Sequence, residues 1–413
     1  MTSDHRSWFR SVGREQWRAL LAAQLGWMLD AMDVMLYAFA LTAIQREFGL
    51  SSGQAGALAS VTLVASAVGG ILFGVLADRI GRARSLIFSI LIYSIFTALT
   101  ATAGTIFELV LWRSLVGLGM GGEWSAGSVL VSETWPKEHR GKAIGLMQSG
   151  WAIGYILAAI LAAIILPAYG WRVLFVVGLL PALFTLWIRR RVREPEIWVK
   201  QSASRSAHRF GLAWEIFRPP FLRRTVLGSI ITLSVLFAYW GLFTWMPSFL
   251  ARPLEQGGAA LGIVRSSAWI IPMQIGAFLG YTSFGLFSDK FGRRPVFLFF
   301  LVSAALLVPV YGQLARHEWL LLALGPLIGF FGHGYFSLFG AMLSELFPTR
   351  VRGSAQGFVY NIGRAFSALA PYSIGMLADR FGVGSALAVT SAFFLAGAAL
   401  IFLLPETRGE QLE

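Results

Sequence analysis

Leu20–Ile44 reads LLAAQLGWMLDAMDVMLYAFALTAI, an apolar run whose only charges are Asp30 and Asp33. As one helix it is long enough to cross the roughly 30 Å hydrocarbon core of a bilayer. A charge in the middle of such a span costs at least about 2.5–3.5 kcal/mol. Residues three apart share a helix face, so Asp30 and Asp33 point together into an interior that is polar or wet. A hydrogen-bonded structural pair would satisfy that geometry. Ionisable residues within membranes otherwise mark ion or substrate pathways, which makes this helix the first place to look for function.

The rest of the chain repeats the pattern. Of 413 residues, 56% are hydrophobic and 13% charged, against about 25% charged in a soluble domain. Twelve apolar runs of spanning length can be read, at 17–45, 54–77, 85–107, 108–134, 142–168, 171–188, 225–251, 262–287, 295–315, 319–346, 353–378 and 382–404. The expected fold class is therefore an all-α integral membrane protein of twelve transmembrane helices, with the lipid bilayer as its surroundings and a monomer as its assembly. The net charge of +13 invites a nucleic-acid reading, but its distribution argues against one. With both termini inside, 26 of the 34 Lys and Arg fall on cytoplasmic segments, 6 on outer loops and 2 within spans. That is the positive-inside rule; the expected location is a plasma membrane, a bacterial inner membrane. A nucleic-acid partner would need a soluble basic domain, and the longest hydrophilic stretch, 189–224, is too short to be one. The absence of cysteine excludes disulfides and thiolate metal sites. The first span has no small-residue cleavage pattern and is expected to be retained. The Arg-rich lead-in to Gln16, with Trp8 and Phe9, is expected to lie along the inner membrane surface.

Internal repeats divide the chain. Gly74-Val-Leu-Ala-Asp78-Arg79-Ile-Gly81-Arg82 returns as Gly285-Leu-Phe-Ser-Asp289-Lys290-Phe-Gly292-Arg293, 211 residues later. Glu133-Thr-Trp-Pro136 with Arg140-Gly141 returns as Glu345-Leu-Phe-Pro348 with Arg352-Gly353, at an offset of 212. Pro195-Glu196 and Pro405-Glu406 close each half. Repeats in parallel register imply two pseudo-symmetric six-helix halves: 1–188 with its lead-in, a cytoplasmic linker 189–224, and 225–413 with a short tail.

On these motifs the chain resembles the major facilitator superfamily over essentially its whole length. The resemblance implies alternating access and gating by the repeated cytoplasmic turns, with Asp78, Arg79, Arg82, Glu133, Arg140, Asp289, Arg293, Glu345 and Arg352 as latch residues. Asp30-Ala-Met-Asp33, Arg113-Ser-Leu-Val-Gly117, Gly122-Glu123-Trp124, Phe347-Pro348-Thr-Arg350 and Tyr360-Asn361-Ile-Gly363-Arg364 are similar to the metabolite:proton symporters. The sialate and lactate symporters are nearest, then the aromatic-acid and niacin transporters. The resemblance implies a carboxylate substrate carried with protons. It also makes Asp33 and Arg113 similar to the proton-coupling pair of sugar symporters. The tail Pro405-Glu406-Thr407-Arg408-Gly409 resembles sugar porters too, but Glu194-Pro195-Glu196 keeps their matching motif only in part.

No catalytic chemistry competes with transport. Gly117-x-Gly119-x-x-Gly122 matches the dinucleotide fingerprint in letters but lacks the preceding strand. Inside an apolar helix Gly117-xxx-Gly121 reads as close helix packing, as do Gly70-xxx-Gly74, Gly141-xxx-Gly145 and Gly150-xxx-Gly154. No P-loop, nucleophile elbow or metal-ligand spacing is present, so neither an enzyme nor a cofactor is expected.

Five charges fall within the hydrocarbon zone: Asp30, Asp33, Arg113, Glu123 and Arg364. Three acids face two bases. One acid is left without a counter-charge, and a buried carboxyl in that position holds a proton. Arg113 could instead snorkel beside Trp112. Arg364 lies about 18 Å above the inner end of its span at 1.5 Å per residue, with Asn361 on the same face. Its planar fork of donors suits a carboxylate, although a structural pairing with Glu123 or Asp30 is the plain alternative. Further cavity candidates are Tyr37, Gln148, Tyr155, Tyr239, Trp240, Gln274, His333 and Tyr335, of which any aromatic can equally be packing. The sequence reading is proton-coupled symport of an organic acid anion. Its alternatives are a sugar or neutral-metabolite porter, an uncoupled uniporter, and a transporter-like sensor.

Overall fold

The protein, seen in a computed structural model, is all-α over its described residues, which are 12–136, 140–196, 199, 212–338, 342, 346–347 and 349–406. The helices of the first part are α1 (Arg14–Phe48), α2 (Ser52–Ile80), α3 (Arg82–Thr100), α4 (Ile106–Thr134), α5 (Arg140–Val177) and α6 (Leu180–Arg191). Those of the second are α7 (Leu222–Ala251), α8 (Gly262–Phe291), α9 (Arg293–Gln313), α10 (Glu318–Gly334), α11 (Thr349–Ser367), α12 (Leu369–Phe381), α13 (Val383–Ala388) and α14 (Thr390–Leu400). Most of the lead-in to Gln16 and much of the 189–224 linker lie outside the described residues.

Local chemistry sets the helix ends. Ser51 and Thr105 open α2 and α4 with capping boxes closed by Gln54 and Glu108, each satisfying two backbone groups that a helix start leaves without partners. Gly170, at φ 77°, breaks α5 and turns the chain before Trp171, a conformation open to glycine because it lacks Cβ.

Among the described residues, eight segments are long and apolar enough to cross a membrane. The helices α4, α8, α11 and α12 fall outside that set; α4 carries Arg113 and Glu123, α8 carries Gln274 and α11 carries Arg364. The helices gather into two bundles. In one, α1 packs on α4 and α5, and α2 and α3 pack on α4; in the other, α7 packs on α11 and α14, and α8 on α10. The bundles meet chiefly through α5 with α8, α2 with α11 and α12, and α1 with α7.

Glycine sets how closely these helices approach. A Cβ on Gly121 would lie 1.9 Å from the carbonyl oxygen of Ser66, and one on Gly117 2.2 Å from that of Thr62. Gly154 is as tight against Met28, at 1.9 Å. Gly74 and Gly145 differ from expectation. Among the described residues neither has an atom within 4 Å of its Cβ position; the surroundings of Gly141 lie outside the described residues. Gly121→Ala is expected to force α2 and α4 apart and destabilise the protein by about 1–3 kcal/mol, whereas Gly145→Ala should be near neutral. Thermal unfolding of the two variants in detergent checks the contrast.

Candidate functional site

The five charges expected within the membrane are all buried, each at 2% exposure or less. Asp30 and Asp33 project from α1, Arg113 and Glu123 from α4, and Arg364 from α11. Glu123 reaches α1 because position 26 is glycine: a Cβ there would lie 2.4 Å from its Oε1. Gly26 stands one turn before Asp30, so Glu123 and Asp30 are neighbours across α1 and α4. Asp30 lies within the electrostatic reach of Arg364 and Arg113, and Glu123 within that of Asp30 and Arg364. Among the described residues none of the carboxylate oxygens of Asp30, Asp33 or Glu123 has a hydrogen-bond partner, nor do Arg113 Nε and Nη1 or Arg364 Nε. Among the described residues no acid stands within ion-pair distance of either arginine.

The expected Asp33–Arg113 pair is thus not formed in this state. The Arg113 guanidinium lies 4.8 Å from the centroid of the Tyr37 ring, whose face takes the place of a counter-ion. Asp33 turns toward α3 and the start of α6, where a Cβ on Gly178 would meet Thr97 and lie 3.1 Å from Asp33 Oδ1. A small cavity bordered by Tyr37, Thr62, Arg113, Trp240 and Thr244 separates Arg113 from the second bundle.

Arg364 sits one turn beyond Tyr360, whose ring stacks on Trp124 across the bundle interface at 4.4 Å and 15°. Gln148 holds Trp124 in place, accepting a hydrogen bond from its Nε1 at 3.2 Å. Asn361 donates to the carbonyl of Gly357 at 3.0 Å and packs on Gly70 of α2, 2.6 Å from where a Cβ would stand. The guanidinium of Arg364 therefore projects from a helix that is itself pressed against the other bundle.

The remaining candidates divide into ties and open groups. The hydroxyls of Tyr37, Tyr155 and Tyr335 donate to the backbone carbonyls of Ala55, Phe243 and Val235, so these rings fasten helices together. Tyr239 accepts from Trp151 Nε1 of the other bundle and faces His333 Nε2 at 3.4 Å. His333 Nδ1 lies 3.1 Å from the Gly329 carbonyl, which assigns its proton to Nδ1 and leaves Nε2 to accept from Tyr239. Among the described residues the fully buried Gln274 has neither amide atom paired, and Trp240 Nε1 is also without a partner. Sequence reading missed Tyr360, Trp151 and Gly26. Tyr360 and Gly26 are spaced i, i+4 from Arg364 and Asp30, the signal that could have found them.

At the ends of the bundle the gating candidates behave unequally. Arg82 bonds Glu133 at 2.9 Å and the Ala77 carbonyl at 2.8 Å, all in one bundle. Glu194 accepts from the backbone N–H groups of Arg82, Ala83 and Arg84 at the start of α3, and Glu406 from those of Arg293 and Arg294 at the start of α9. Glu406 thus corresponds to Glu194, and aligning Pro405-Glu406 with Pro195-Glu196 was out of register. Arg79 is exposed. Glu345 and the side chains of Asp78, Arg140, Asp289 and Arg352 lie outside the described residues. At this basic end Gly74, Gly145, Gly285 and Gly357 each have, among the described residues, no atom within 4 Å of a Cβ position. The bundles close at the opposite end, where Trp245 Nε1 donates to the Pro371 carbonyl and a Cβ on Gly56 would lie 2.2 Å from that same oxygen.

Comparison with known proteins agrees with this architecture. The sequence pattern of the Major Facilitator Superfamily matches residues 25–283 and again 266–413. Over 415 residues the chain is 36% identical to a protein of Cupriavidus pinatubonensis named Probable 4-methylmuconolactone transporter, covering 98% of this chain and 94% of the relative. It is 32% identical over 396 residues to the Cis,cis-muconate transport protein of Acinetobacter baylyi, with 94% of each chain covered. The crystal structure of a D-xylose-proton symporter superposes with a TM-score of 0.76 over 96% of this chain and 100% of that one, at 20% identity, a likeness of fold. These are transport proteins and not enzymes. A multi-pass membrane protein with a polar centre between two helical bundles, the chain belongs to the Major Facilitator Superfamily and carries a small organic metabolite by alternating access.

Proposed function

We propose that this carrier imports a small organic acid anion together with protons. In this reading its twelve spans form two six-helix halves, 1–188 and 225–413, joined by a 189–224 linker, and both termini are cytoplasmic, so that the basic end faces the cytoplasm. The observation that carries the proposal is Arg364. It is buried in the centre, has no acid within ion-pair distance among the described residues, and acts at longer range on both Asp30 and Glu123. Isolated buried charge is costly, and a planar guanidinium is suited to a bidentate carboxylate. An arriving carboxylate takes the guanidinium, the acid that shared its field loses that support and binds a proton, and the loaded centre changes conformation with its charge balanced. The names of the two relatives favour muconate-type acids over sialate, lactate or a hexose.

Uptake of labelled cis,cis-muconate into proteoliposomes tests this. An imposed inward proton gradient should drive accumulation above equilibrium, and a protonophore should reduce it to equilibration. Uptake that ignores the gradient would indicate a uniporter. Binding without uptake would indicate a sensor, and uptake of hexoses but no acid would return the sugar-porter reading.

A further inference from the structure

The turn that closes α12 reads Ala378-Asp379-Arg380-Phe381-Gly382, a third copy of the pattern Ala77-Asp78-Arg79-Ile80-Gly81. It lies at the opposite end of the molecule, beside the first turn of α2. There Asp379 Oδ1 accepts from the backbone N–H of Ser52 at 3.0 Å and Oδ2 from that of Gly53 at 2.9 Å. Glu194 and Glu406 cap helices of their own bundles, whereas Asp379 caps a helix of the other. The contact does not stand alone. Arg252, at the end of α7, donates to Ser52 Oγ at 3.1 Å and to Gln45 Oε1 of α1. Backbones meet beside it, since a Cβ on Gly375 would lie 2.4 Å from the Ser52 carbonyl.

We propose that Asp379 is the pivot of a latch that holds the two bundles together at the Ser52 end and keeps the carrier open toward its basic end. A carboxylate on two otherwise unpaired N–H groups gains from both the charge-assisted bonds and the positive end of the helix dipole. These bonds join opposite bundles, so they break whenever this end opens. The cost of breaking them is bounded by water. A cleft of about 720 Å³, lined in part by Arg46, Ser51, Arg252, Glu255 and Arg380, borders Asp379, and solvent there can take over the freed donors and carboxylate. The arrangement is therefore reversible, as a gate requires. It mirrors, on the other face, the role expected of Asp78 and Asp289, so the same short motif would serve both end states.

The natural chain has no cysteine, so single introduced cysteines report accessibility cleanly. Thr244→Cys lies behind the latch on the central cavity, and Gly357→Cys lies in the open space at the basic end. In nanodiscs, where maleimide reaches both faces, Asp379→Asn should raise the labelling rate at Thr244→Cys by about tenfold, the scale of losing charge-assisted hydrogen bonds, and lower it at Gly357→Cys. Ser52→Pro is the second variant. Proline suits a first helical position, yet here it removes both the N–H and the hydroxyl that enter the latch, so it should act in the same direction and decides the matter if Asp379→Asn does not fold. Unchanged rates at both reporters in a folded variant overturn the proposal. No substrate enters the measurement, so its outcome is independent of what the carrier transports.

Discussion

Arg364→Ala is expected to weaken binding of an acid substrate by about a hundredfold or more, the loss of two charge-assisted hydrogen bonds at roughly 1.5 kcal/mol each. It should also abolish the pH dependence of binding. In the proposed mechanism the substrate occupies the guanidinium whose field Asp30 and Glu123 share, and the acid left without that support binds a proton. Affinity should therefore strengthen as pH falls through the pKa of that acid, until the substrate itself becomes protonated. Proton and substrate must each favour the other by the same factor. Without the arginine there is nothing to displace, and the slope disappears along with the affinity. Arg364→Lys keeps the charge but loses the planar fork, so an intermediate loss of about tenfold with the slope preserved is expected. Calorimetry from about pH 5 to 8, the range a raised carboxyl can occupy, distinguishes the three. Near-wild-type affinity with the same slope in Arg364→Ala would make the arginine a structural partner of the acids.

What could be read from sequence follows from which physical signals are local. The five membrane charges were legible one by one, because each interrupts a run that has no other reason to contain it, and all five are buried. The close packing at Gly117, Gly121 and Gly154 was legible from spacing. The openness at Gly74 and Gly145 was not, since spacing along one helix does not say whether another helix stands against that face. Pairing was harder. Asp33 and Arg113 have the right depths, but Tyr37 lies one turn beyond Asp33 on α1 and its ring takes the guanidinium. Likewise the hydroxyls of Tyr37, Tyr155 and Tyr335 were candidates for a cavity until helix rotation aimed them at backbone carbonyls. Asp379 went unnoticed for a different reason. Its motif marks cytoplasmic turns elsewhere in the chain, whereas this copy lies at the other end of the bundle, 327 residues in sequence from the N–H group it caps.

The acids themselves carry the second large effect. With one proton per substrate, a gradient of one pH unit corresponds to about 1.4 kcal/mol and supports about tenfold accumulation. Asp30→Asn should reduce that accumulation to simple equilibration while leaving exchange of substrate across the membrane intact. Asp30 is chosen because it alone of the three acids stands in the field of both arginines, one from each bundle. In the proposed mechanism its protonation is the event that both substrate arrival at Arg364 and movement of Arg113 control. Glu123→Gln should weaken coupling in the same direction, since Glu123 shares the field of Arg364 and lies against Gly26 next to Asp30. Asp33 is different. It faces Thr97 and Gly178, and Arg364 is not among the charges that act on it. Asp33→Asn should therefore retain gradient-driven accumulation, even if the rate falls. Paired measurements of accumulation and counterflow in proteoliposomes separate coupling from transport for each variant. Wild-type accumulation in all three would place the proton elsewhere, and loss in Asp33→Asn alone would restore the Asp33–Arg113 pair as the coupling site.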